Sequence, residues 1–211
     1  MRLREKLKLY VITDRKLCGD EVKCVEAALR GGATSIQLRL KEAPTSEMVE
    51  IGKKLRRLTR DYDALFFVDD RLDVALAVDA DGVQLGPEDM PIEDARRIAP
   101  NLIIGGSVYS LEEAIAAEKA GADYLGAGAV FPTGTKKDSY VKIIGLDGLR
   151  KIVETVKIPV VAIGGIKPEN AEEVLKIKGV AGIAVVSAVM GAPDPEEATR
   201  KLRAIVDKYL G

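Results

Sequence analysis

The sequence alternates between short β-rich runs and helical patterns along its whole length, and this alternation constrains the fold more than any other feature. Apolar residues three and four positions apart, which are typical of amphipathic helices, fill the intervals between the β-rich runs. Strands that alternate with helices favour βαβ units and a parallel sheet. Eight such units in 211 residues predict a compact (β/α)8 TIM barrel, with residues 1–211 forming a single domain. The eight β-rich runs are expected at 8–13, 35–40, 65–70, 82–86, 102–107, 124–130, 159–165 and 182–189.

An open, doubly wound sheet is the alternative arrangement of the same elements. Its marker would be a G-x-G-x-x-G turn after the first strand, and the segment ITDRKLCGD contains none. Helix-start signals also fit the barrel pattern: Ser110 precedes Glu113 by three residues, as in a capping box. Asp194 followed by Pro195 predicts the N-cap and first residue of the last helix. Active sites of such barrels lie at the carboxyl ends of the strands.

The chain contains no histidine, and this restricts its chemistry. Ser-His and Cys-His nucleophile systems, His-ligated metals and imidazole acid–base catalysis are excluded. Catalysis must use carboxylates, lysine, arginine, hydroxyl groups or a hard cation. Cys18 and Cys24 have no further cysteine or histidine near them, so we expect two ordinary thiols and neither a zinc site nor a disulfide.

The composition also bounds the partners and the location. Apolar residues make up 47% of the chain, enough for a substantial core, and the net charge of −1 argues against a nucleic-acid partner. Neither a signal-peptide pattern nor an apolar stretch of transmembrane length occurs, so we expect a cytoplasmic protein without a membrane partner. Charged residues at 31% and only four side-chain amides resemble thermophilic proteins. A homo-oligomer is compatible with this composition.

Polar residues alternate with apolar ones in the second strand, SIQLRLKE. Since side chains alternate along a strand, Gln37, Arg39 and Lys41 share one face, and the apolar residues between them face the helices. In a closed barrel the polar face points inward and rises to the mouth. Two cations and one amide that converge in a crevice predict a site for a polyanion.

Carboxylates follow the next two strands. The third run ends in Asp69 and Asp70, and the fourth leads into Glu88 and Asp89. Magnesium usually takes one or two carboxylates together with phosphate oxygens of the substrate. We therefore expect Mg²⁺ to bridge Asp70 and Asp89 to the bound polyanion.

The later strands offer a second region for anions. The sixth run leads into FPTGTKKDS, whose threonines and Lys136 form an anion grip if this loop lies at the mouth. Gly164 and Gly165 end the seventh run and allow the backbone to approach a phosphate closely. The plainer interpretations are a polar surface loop and a tight turn.

Taken together, the motifs IQLRLKE, VDDRLDVALAVDADGVQLGPEDMP, GGSVYS, FPTGTKK, VAIGGI and VVSAV resemble, in order and spacing, the thiamine-phosphate synthase family. The resemblance covers essentially the whole chain. It implies a (β/α)8 barrel that joins a pyrimidine diphosphate to a thiazole phosphate, or to its carboxylated form, with Mg²⁺ as cofactor.

The resemblance also assigns roles to individual residues. The cations Arg39, Lys41 and Lys136 would be catalytic, and Asp70 and Asp89 would bind magnesium. The pyrimidine diphosphate would contact Gln37, Leu38, Arg39, Leu40, Lys41, Asp69, Ser107 and Lys136. The thiazole phosphate would contact Thr133, Gly134, Thr135, Gly165, Val186 and Ser187.

In this family pyrophosphate leaves first and the thiazole nitrogen then attacks the pyrimidine-methyl cation. The attacking nitrogen carries no proton, so the absence of histidine is compatible with the reaction. Two positions depart from the family pattern: Asp69 stands where asparagine is usual, and Gln84 where histidine is common.

Three alternatives have different requirements. A related thiazole tautomerase or regulator would share the barrel, but a tautomerase needs a proton shuttle, typically histidine. Another phosphate-binding barrel isomerase or lyase is the second alternative. A ligand-binding module without catalysis is the third, and it would bind both phosphorylated molecules without turnover.

Overall fold

Eight parallel strands close into a barrel in the order of the chain, in the computed structural model that describes residues 3–135 and 139–211. Each strand pairs with the next, and β8 returns to β1, where Val185 is in register with Val11. The predicted (β/α)8 barrel is therefore confirmed. The strands are β1 Leu9–Ile12, β2 Ser35–Leu38, β3 Leu65–Asp69, β4 Gly82–Leu85, β5 Ile103–Val108, β6 Tyr124–Ala127, β7 Val160–Ile163 and β8 Val180–Val185.

Helices connect the strands and cover the outside of the barrel. The long helix α11 packs against α3 and α9. The helices of the described residues are α1 Leu3–Lys6, α2 Arg15–Cys18, α3 Glu21–Arg30, α4 Thr45–Asp61, α5 Leu72–Ala77, α6 Ile92–Ile98, α7 Leu111–Ala120, α8 Gly145–Thr155, α9 Ala171–Leu175, α10 Ser187–Met190 and α11 Pro195–Leu210.

The strands mostly end earlier than the sequence pattern predicts, because the chain changes direction at the barrel mouth. Asp70, Gly164 and Gly165 have positive φ angles of 64°, 103° and 65°, which a strand cannot contain. The prediction for the eighth run was wrong at both ends. The strand occupies 180–185, and the apolar residues that follow it form the short helix α10.

The core has two layers separated by the sheet. The outer layer packs the helix-facing strand residues, among them Ile36 and Leu38, against the helices. The inner layer fills the barrel and includes a triangle of Tyr10, Phe67 and Tyr124, whose ring centroids lie 5.3–6.1 Å apart. These rings form an apolar floor below the barrel mouth.

Both predicted helix starts are confirmed. Asp194 accepts a hydrogen bond from the N–H of Glu197, and Ser110 accepts one from the N–H of Glu113. The Glu113 carboxylate accepts from the N–H of Tyr109, one residue before the position that the capping-box pattern predicts. This bond ties the end of β5 to the start of α7.

The prediction of two ordinary thiols was wrong. Cys18 and Cys24 form a disulfide, with their Cα atoms 6.5 Å apart. Cys18 ends α2 and Cys24 lies in the first turn of α3, so the short connection between these helices brings the sulfur atoms together. The sequence argument rested on the expected compartment and could not anticipate this geometry. Among the described residues, no helix is both long and apolar enough to cross a membrane.

Candidate active site

A cleft opens at the carboxyl ends of the strands, and its cavity volume is about 110 Å³. A second hollow beside it is lined by Lys41, Asp70 and Arg71, and Asp69 borders both spaces. The barrel thus brings residues from distant parts of the chain into one place. The predicted site residues that line the cleft are Gln37, Arg39, Asp69, Ser107, Thr133, Thr135, Gly165, Val186 and Ser187.

One side of the mouth is built from charged side chains. The Arg39 Nε lies 3.8 Å from Asp69 Oδ2, and the Lys41 Nζ lies 3.1 Å from Asp70 Oδ2. Burial lowers the pKa of Lys41, but its hydrogen bond to Asp70 and the charges of Asp70 and Asp69 outweigh burial, so the pKa is raised. Lys41 is therefore present in charged form, and both predicted cations face carboxylates.

The adjacent carboxylates of Asp69 and Asp70 both reach the mouth, although strict alternation would send them to opposite faces. Asp70 is in the left-handed region with φ of 64°, and its N–H still donates to the carbonyl of Gln84 at 2.9 Å. This conformation is uncommon for a residue other than glycine and often occurs at functional sites. It turns the chain at Asp70, so both carboxylates border the hollow.

Asp89 completes the carboxylate group. Its side chain is hydrogen-bonded to Asp70 and also accepts the N–H of Gly86 at 2.6 Å. Burial and the hydrogen bond to Asp70 raise the pKa of Asp89 to about 6. Burial also acts to raise the pKa of Asp70, but hydrogen bonds with Asp89 and Lys41 outweigh it and leave the pKa lowered. The pair therefore shares a proton that resides on Asp89 in mild acid.

The carboxylates fit a magnesium ion only as a partial ligand set. Asp70 and Asp89 are in contact with each other, and carboxylate oxygen is the ligand that Mg²⁺ prefers. No group of three or more carboxylate, cysteine or histidine side chains suited to a metal occurs in the described part of the chain. Two carboxylates, completed by phosphate oxygens and water, are the usual protein contribution to a magnesium site.

A chain of hydrogen bonds crosses the interior of the barrel below the cleft. The Gln37 amide donates to the Tyr10 hydroxyl at 2.9 Å, which lies 2.9 Å from the Tyr124 hydroxyl. Tyr124 donates to the Gln84 Oε1 at 2.6 Å, and the Gln84 amide donates to Ser107 Oγ at 3.0 Å. Burial is the main cause that raises the pKa of both tyrosines, so both stay protonated. These hydrogen bonds therefore orient the side chains of Gln37 and Ser107 through neutral groups.

Sequence reasoning missed the two tyrosines and left the direction of Gln84 open. Gln84 points inward and is buried. Its signal in the sequence was a polar residue on the inward face of a four-residue strand, and Tyr10 and Tyr124 carried the same signal in β1 and β6. A buried hydroxyl or amide requires a hydrogen-bond partner, so polar inward residues on neighbouring strands predict one another.

The opposite side of the mouth is built from backbone groups. The carbonyls of Ile163 and Gly164 accept hydrogen bonds from the N–H groups of Val130 and Phe131 at 2.9 and 3.0 Å. A Cβ atom at Gly165 would lie 2.6 Å from the carbonyl oxygen of Pro132, so only glycine fits this close approach. The turn after β7 is thus clamped against the segment that leads to Thr133 and Thr135.

The N–H groups on this side of the mouth differ from the carbonyls, because they form no hydrogen bonds with other described residues. Within the described residues, the N–H groups of Gly164, Gly165, Ile166, Val186 and Ser187 donate to no protein acceptor. All five residues line the cleft. Unpaired N–H groups at the ends of parallel strands are suited to bind a phosphate.

A few predicted site residues lie elsewhere. Leu38 is fully buried in the outer core, and its side chain does not line the cleft. Leu40 is also in the outer core, although it borders the second hollow. Gly134 is exposed and lies outside the lining. Lys136 lies outside the described residues.

The structure adds Tyr109 to the cleft lining. Its ring meets Tyr140 edge to face, with 5.5 Å between the centroids. The segment around Tyr140 is held at the barrel by two bonds, from the N–H of Ala129 to the carbonyl of Lys142 and from the N–H of Ile144 to the carbonyl of Ala129. The rim of the cleft is therefore partly aromatic.

The closed barrel, with its polar cleft at the carboxyl ends of the strands, defines a (β/α)8-barrel enzyme. Comparison with known proteins shows to which family of barrel enzymes the chain is similar. The family described as thiamine monophosphate synthase matches residues 9–189. The chain is 74% identical over 211 residues to the thiamine-phosphate synthase of Pyrococcus furiosus and 71% identical to that of Pyrococcus abyssi, and both matches cover each chain completely.

A solved structure agrees with these relatives. The thiamine phosphate pyrophosphorylase from Pyrococcus furiosus superimposes with a TM-score of 0.94 and 72% identity, over the full length of both chains. The chain belongs to the thiamine-phosphate synthase family, and the family predicted from the sequence motifs is confirmed.

Proposed function

We propose that this protein is a thiamine-phosphate synthase that condenses 4-amino-2-methyl-5-(diphosphooxymethyl)pyrimidine with 4-methyl-5-(2-phosphoethyl)thiazole, or its carboxylated form. The products are thiamine monophosphate and pyrophosphate. The proposal is carried by the full-length identity of 74% to a relative of that name, in a chain whose cleft joins two separate regions suited to phosphates.

The experiment is a reaction of the purified protein with both substrates and Mg²⁺. We expect thiamine monophosphate and pyrophosphate in equal amounts. Binding of both substrates without turnover would contradict the enzyme and support a binding module. A change in the thiazole phosphate alone, without release of pyrophosphate, would support the tautomerase.

The charged side of the mouth is the proposed site for the diphosphate. Arg39 and Lys41 supply donors for phosphate oxygens, and Lys136 from the loop after β6 is proposed to join them. Among these groups, the two described cations face three carboxylates, Asp69, Asp70 and Asp89. A diphosphate is repelled by such a site unless a divalent cation offsets the carboxylates.

Magnesium is the proposed cofactor, because hard oxygen ligands from Asp70 and Asp89 suit it. When bound, it would supply positive charge to the departing pyrophosphate. The residues of the chain prepare this position: the N–H of Gly86 orients Asp89, and Lys41 holds Asp70 at 3.1 Å.

The backbone side of the mouth is the proposed site for the thiazole phosphate. The N–H groups of Gly165, Val186 and Ser187 lack protein acceptors among the described residues and line the cleft. Thr133 and Thr135 border the same space and can donate through their hydroxyl groups. Fixed N–H donors would place the second substrate without any change of protonation.

Catalysis in this proposal consists of charge stabilisation and positioning. Arg39, Lys41 and Lys136 stabilise the negative charge that grows on the leaving group, an effect worth about 10²–10³ in rate for one lost donor. The cleft holds the thiazole nitrogen against the pyrimidine-methyl carbon. No residue has to remove a proton from this nitrogen, which agrees with the absence of histidine from the chain.

The related tautomerase is disfavoured by the same observations. That group of proteins typically uses histidine as its proton shuttle, and this chain contains no histidine. A tautomerase also has no use for the paired cations and carboxylates of β2, β3 and β4. We further propose a cytoplasmic location, because highly charged phosphorylated substrates do not cross membranes unaided, and cell fractionation would test it.

A further inference from the structure

Asn170, the residue before α9, joins two parts of the turn that follows β7. Its Nδ2 donates to the carbonyl of Gly165 at 2.9 Å, and its Oδ1 accepts the N–H of Lys167 at 2.9 Å. The chain has four side-chain amides, and three of them (Gln37, Gln84 and Asn170) form hydrogen bonds in or beside the cleft. The fourth, Asn101, is exposed.

Three successive carbonyls at the end of β7 and in the turn after it accept hydrogen bonds. Those of Ile163 and Gly164 accept main-chain N–H groups from the neighbouring segment, and that of Gly165 accepts the Asn170 side chain. Each of these bonds draws a carbonyl oxygen away from an incoming anion. The Gly165 carbonyl alone depends on a side chain for this.

The orientation of this one carbonyl decides which group faces a phosphate. In a trans peptide the C=O and N–H groups point in opposite directions, so the Gly165 carbonyl and the Ile166 N–H are fixed together. Gly165 has φ of 65° and no side chain to resist rotation of the peptide. With the carbonyl on Asn170, the Ile166 N–H is left without a protein acceptor in the described residues, and Ile166 lines the cleft.

We propose that Asn170 is a positioning residue of the phosphate site: it fixes the Gly165–Ile166 peptide so that the Ile166 N–H, and not the Gly165 carbonyl, faces the bound phosphate. A rotated peptide would replace a donor by an acceptor that repels the anion. The inference rests on the proposed function of this side of the cleft.

The first test compares Asn170→Ala with Asn101→Ala, which removes an exposed amide far from the cleft. We expect Asn170→Ala to raise the KM for the thiazole phosphate about 10- to 100-fold, the value of one hydrogen bond to a charged group. The KM for the pyrimidine diphosphate should stay within about twofold, and Asn101→Ala should match the wild type. Equal KM values for the thiazole phosphate in Asn170→Ala and wild type would overturn the inference, and so would equal rises for both substrates.

A second variant, Asn170→Asp, keeps the acceptor for the Lys167 N–H and loses the donor to Gly165. This variant therefore distinguishes disruption of the whole turn from loss of the one hydrogen bond to the Gly165 carbonyl on which the inference depends. We expect its KM for the thiazole phosphate to rise at least as far as that of Asn170→Ala. A KM equal to that of the wild type would overturn the inference.

The third measurement needs no folded variant. Inorganic phosphate is added to the ¹⁵N-labelled wild-type protein, and the amide signals of Gly165 and Ile166 are followed. A phosphate-dependent shift of the Ile166 signal is expected, and an unchanged signal at saturation would overturn the inference. Failure of the wild type to make thiamine monophosphate would instead overturn the proposed function, which this titration does not use.

Discussion

The two sides of the cleft are suited to the same chemical group by different means. At the ends of β2, β3 and β4, charged side chains face one another, and one carboxyl group has a pKa raised to about 6. At the ends of β7 and β8, backbone N–H groups face the cleft. Glycines with positive φ angles make this turn possible, and the neighbouring carbonyls are hydrogen-bonded to other segments. We expect the first side to respond to pH, metal and salt, whereas the described residues that line the cleft at the ends of β7 and β8 carry no ionisable side chain.

This difference matches the proposed fates of the two phosphates. Negative charge grows on the leaving diphosphate, so groups that interact more strongly in the transition state accelerate the reaction there. The thiazole phosphate keeps its charge throughout and needs only to be held in position. Changes on the charged side should therefore lower kcat, and changes on the backbone side should raise KM.

The largest effect is expected from removal of a cation on the charged side. Lys41→Gln should lower kcat about 10²–10³-fold, because one charge that stabilises the leaving group is lost. Lys54→Gln is a matched control, since Lys54 also lies 3.1 Å from a carboxylate but on the exposed face of α4. Steady-state kinetics at saturating substrates measures this effect, and a rate near that of the wild type would remove Lys41 from the catalytic group.

A large effect on KM is expected from a charge placed on the backbone side. Ser187→Glu should raise the KM for the thiazole phosphate by at least about tenfold through charge repulsion, with little change for the pyrimidine diphosphate. Initial rates with each substrate varied in turn would show this. If the KM for the thiazole phosphate stays unchanged, the proposed phosphate site is in the wrong place.

A smaller effect concerns the raised pKa of Asp89. Because the folded protein binds a proton that the unfolded chain releases above pH 3.8, the metal-free protein should lose stability as pH rises from about 3.8 to about 6. Asp89→Asn should flatten this part of the stability profile and raise the Mg²⁺ concentration needed for activity. Thermal unfolding in a chelator at several pH values tests the first expectation, and a magnesium titration tests the second; unchanged curves would refute the assignment.

The smallest effect is expected at Asp69, where the family usually has asparagine. If this carboxylate contacts the diphosphate through a cation, Asp69→Asn should alter the magnesium dependence of diphosphate binding by a few fold, which is about 1 kcal/mol. Binding measured by calorimetry at low and high Mg²⁺ would reveal the change. Identical affinities at every concentration would refute the cation-mediated contact.

The sequence predicts the barrel and much of the charged side because both follow from simple periodicity. Alternation along β2 places Gln37 and Arg39 inside and Leu38 outside, as the structure confirms. The same alternation does not describe Asp69 and Asp70. Asp70 adopts a left-handed backbone conformation at the strand end, and the residue pattern does not predict this conformation.

The remaining parts of the site depend on contacts between distant segments. Tyr10 and Tyr124 are 114 residues apart, and their hydrogen bond exists only because the barrel closes. The sequence indicates the backbone side of the cleft even less clearly, since its donors are main-chain N–H groups, which every residue type except proline has. Asn170 could be found only from its bond to Gly165.

The most direct test of this division is a crystal structure with Mg²⁺, pyrophosphate and the thiazole phosphate bound. We expect pyrophosphate against Arg39 and Lys41, the metal between Asp70 and Asp89, and the thiazole phosphate on the N–H groups of Gly165, Ile166 and Ser187. Pyrophosphate on the backbone side, or a metal that touches neither Asp70 nor Asp89, would contradict the account.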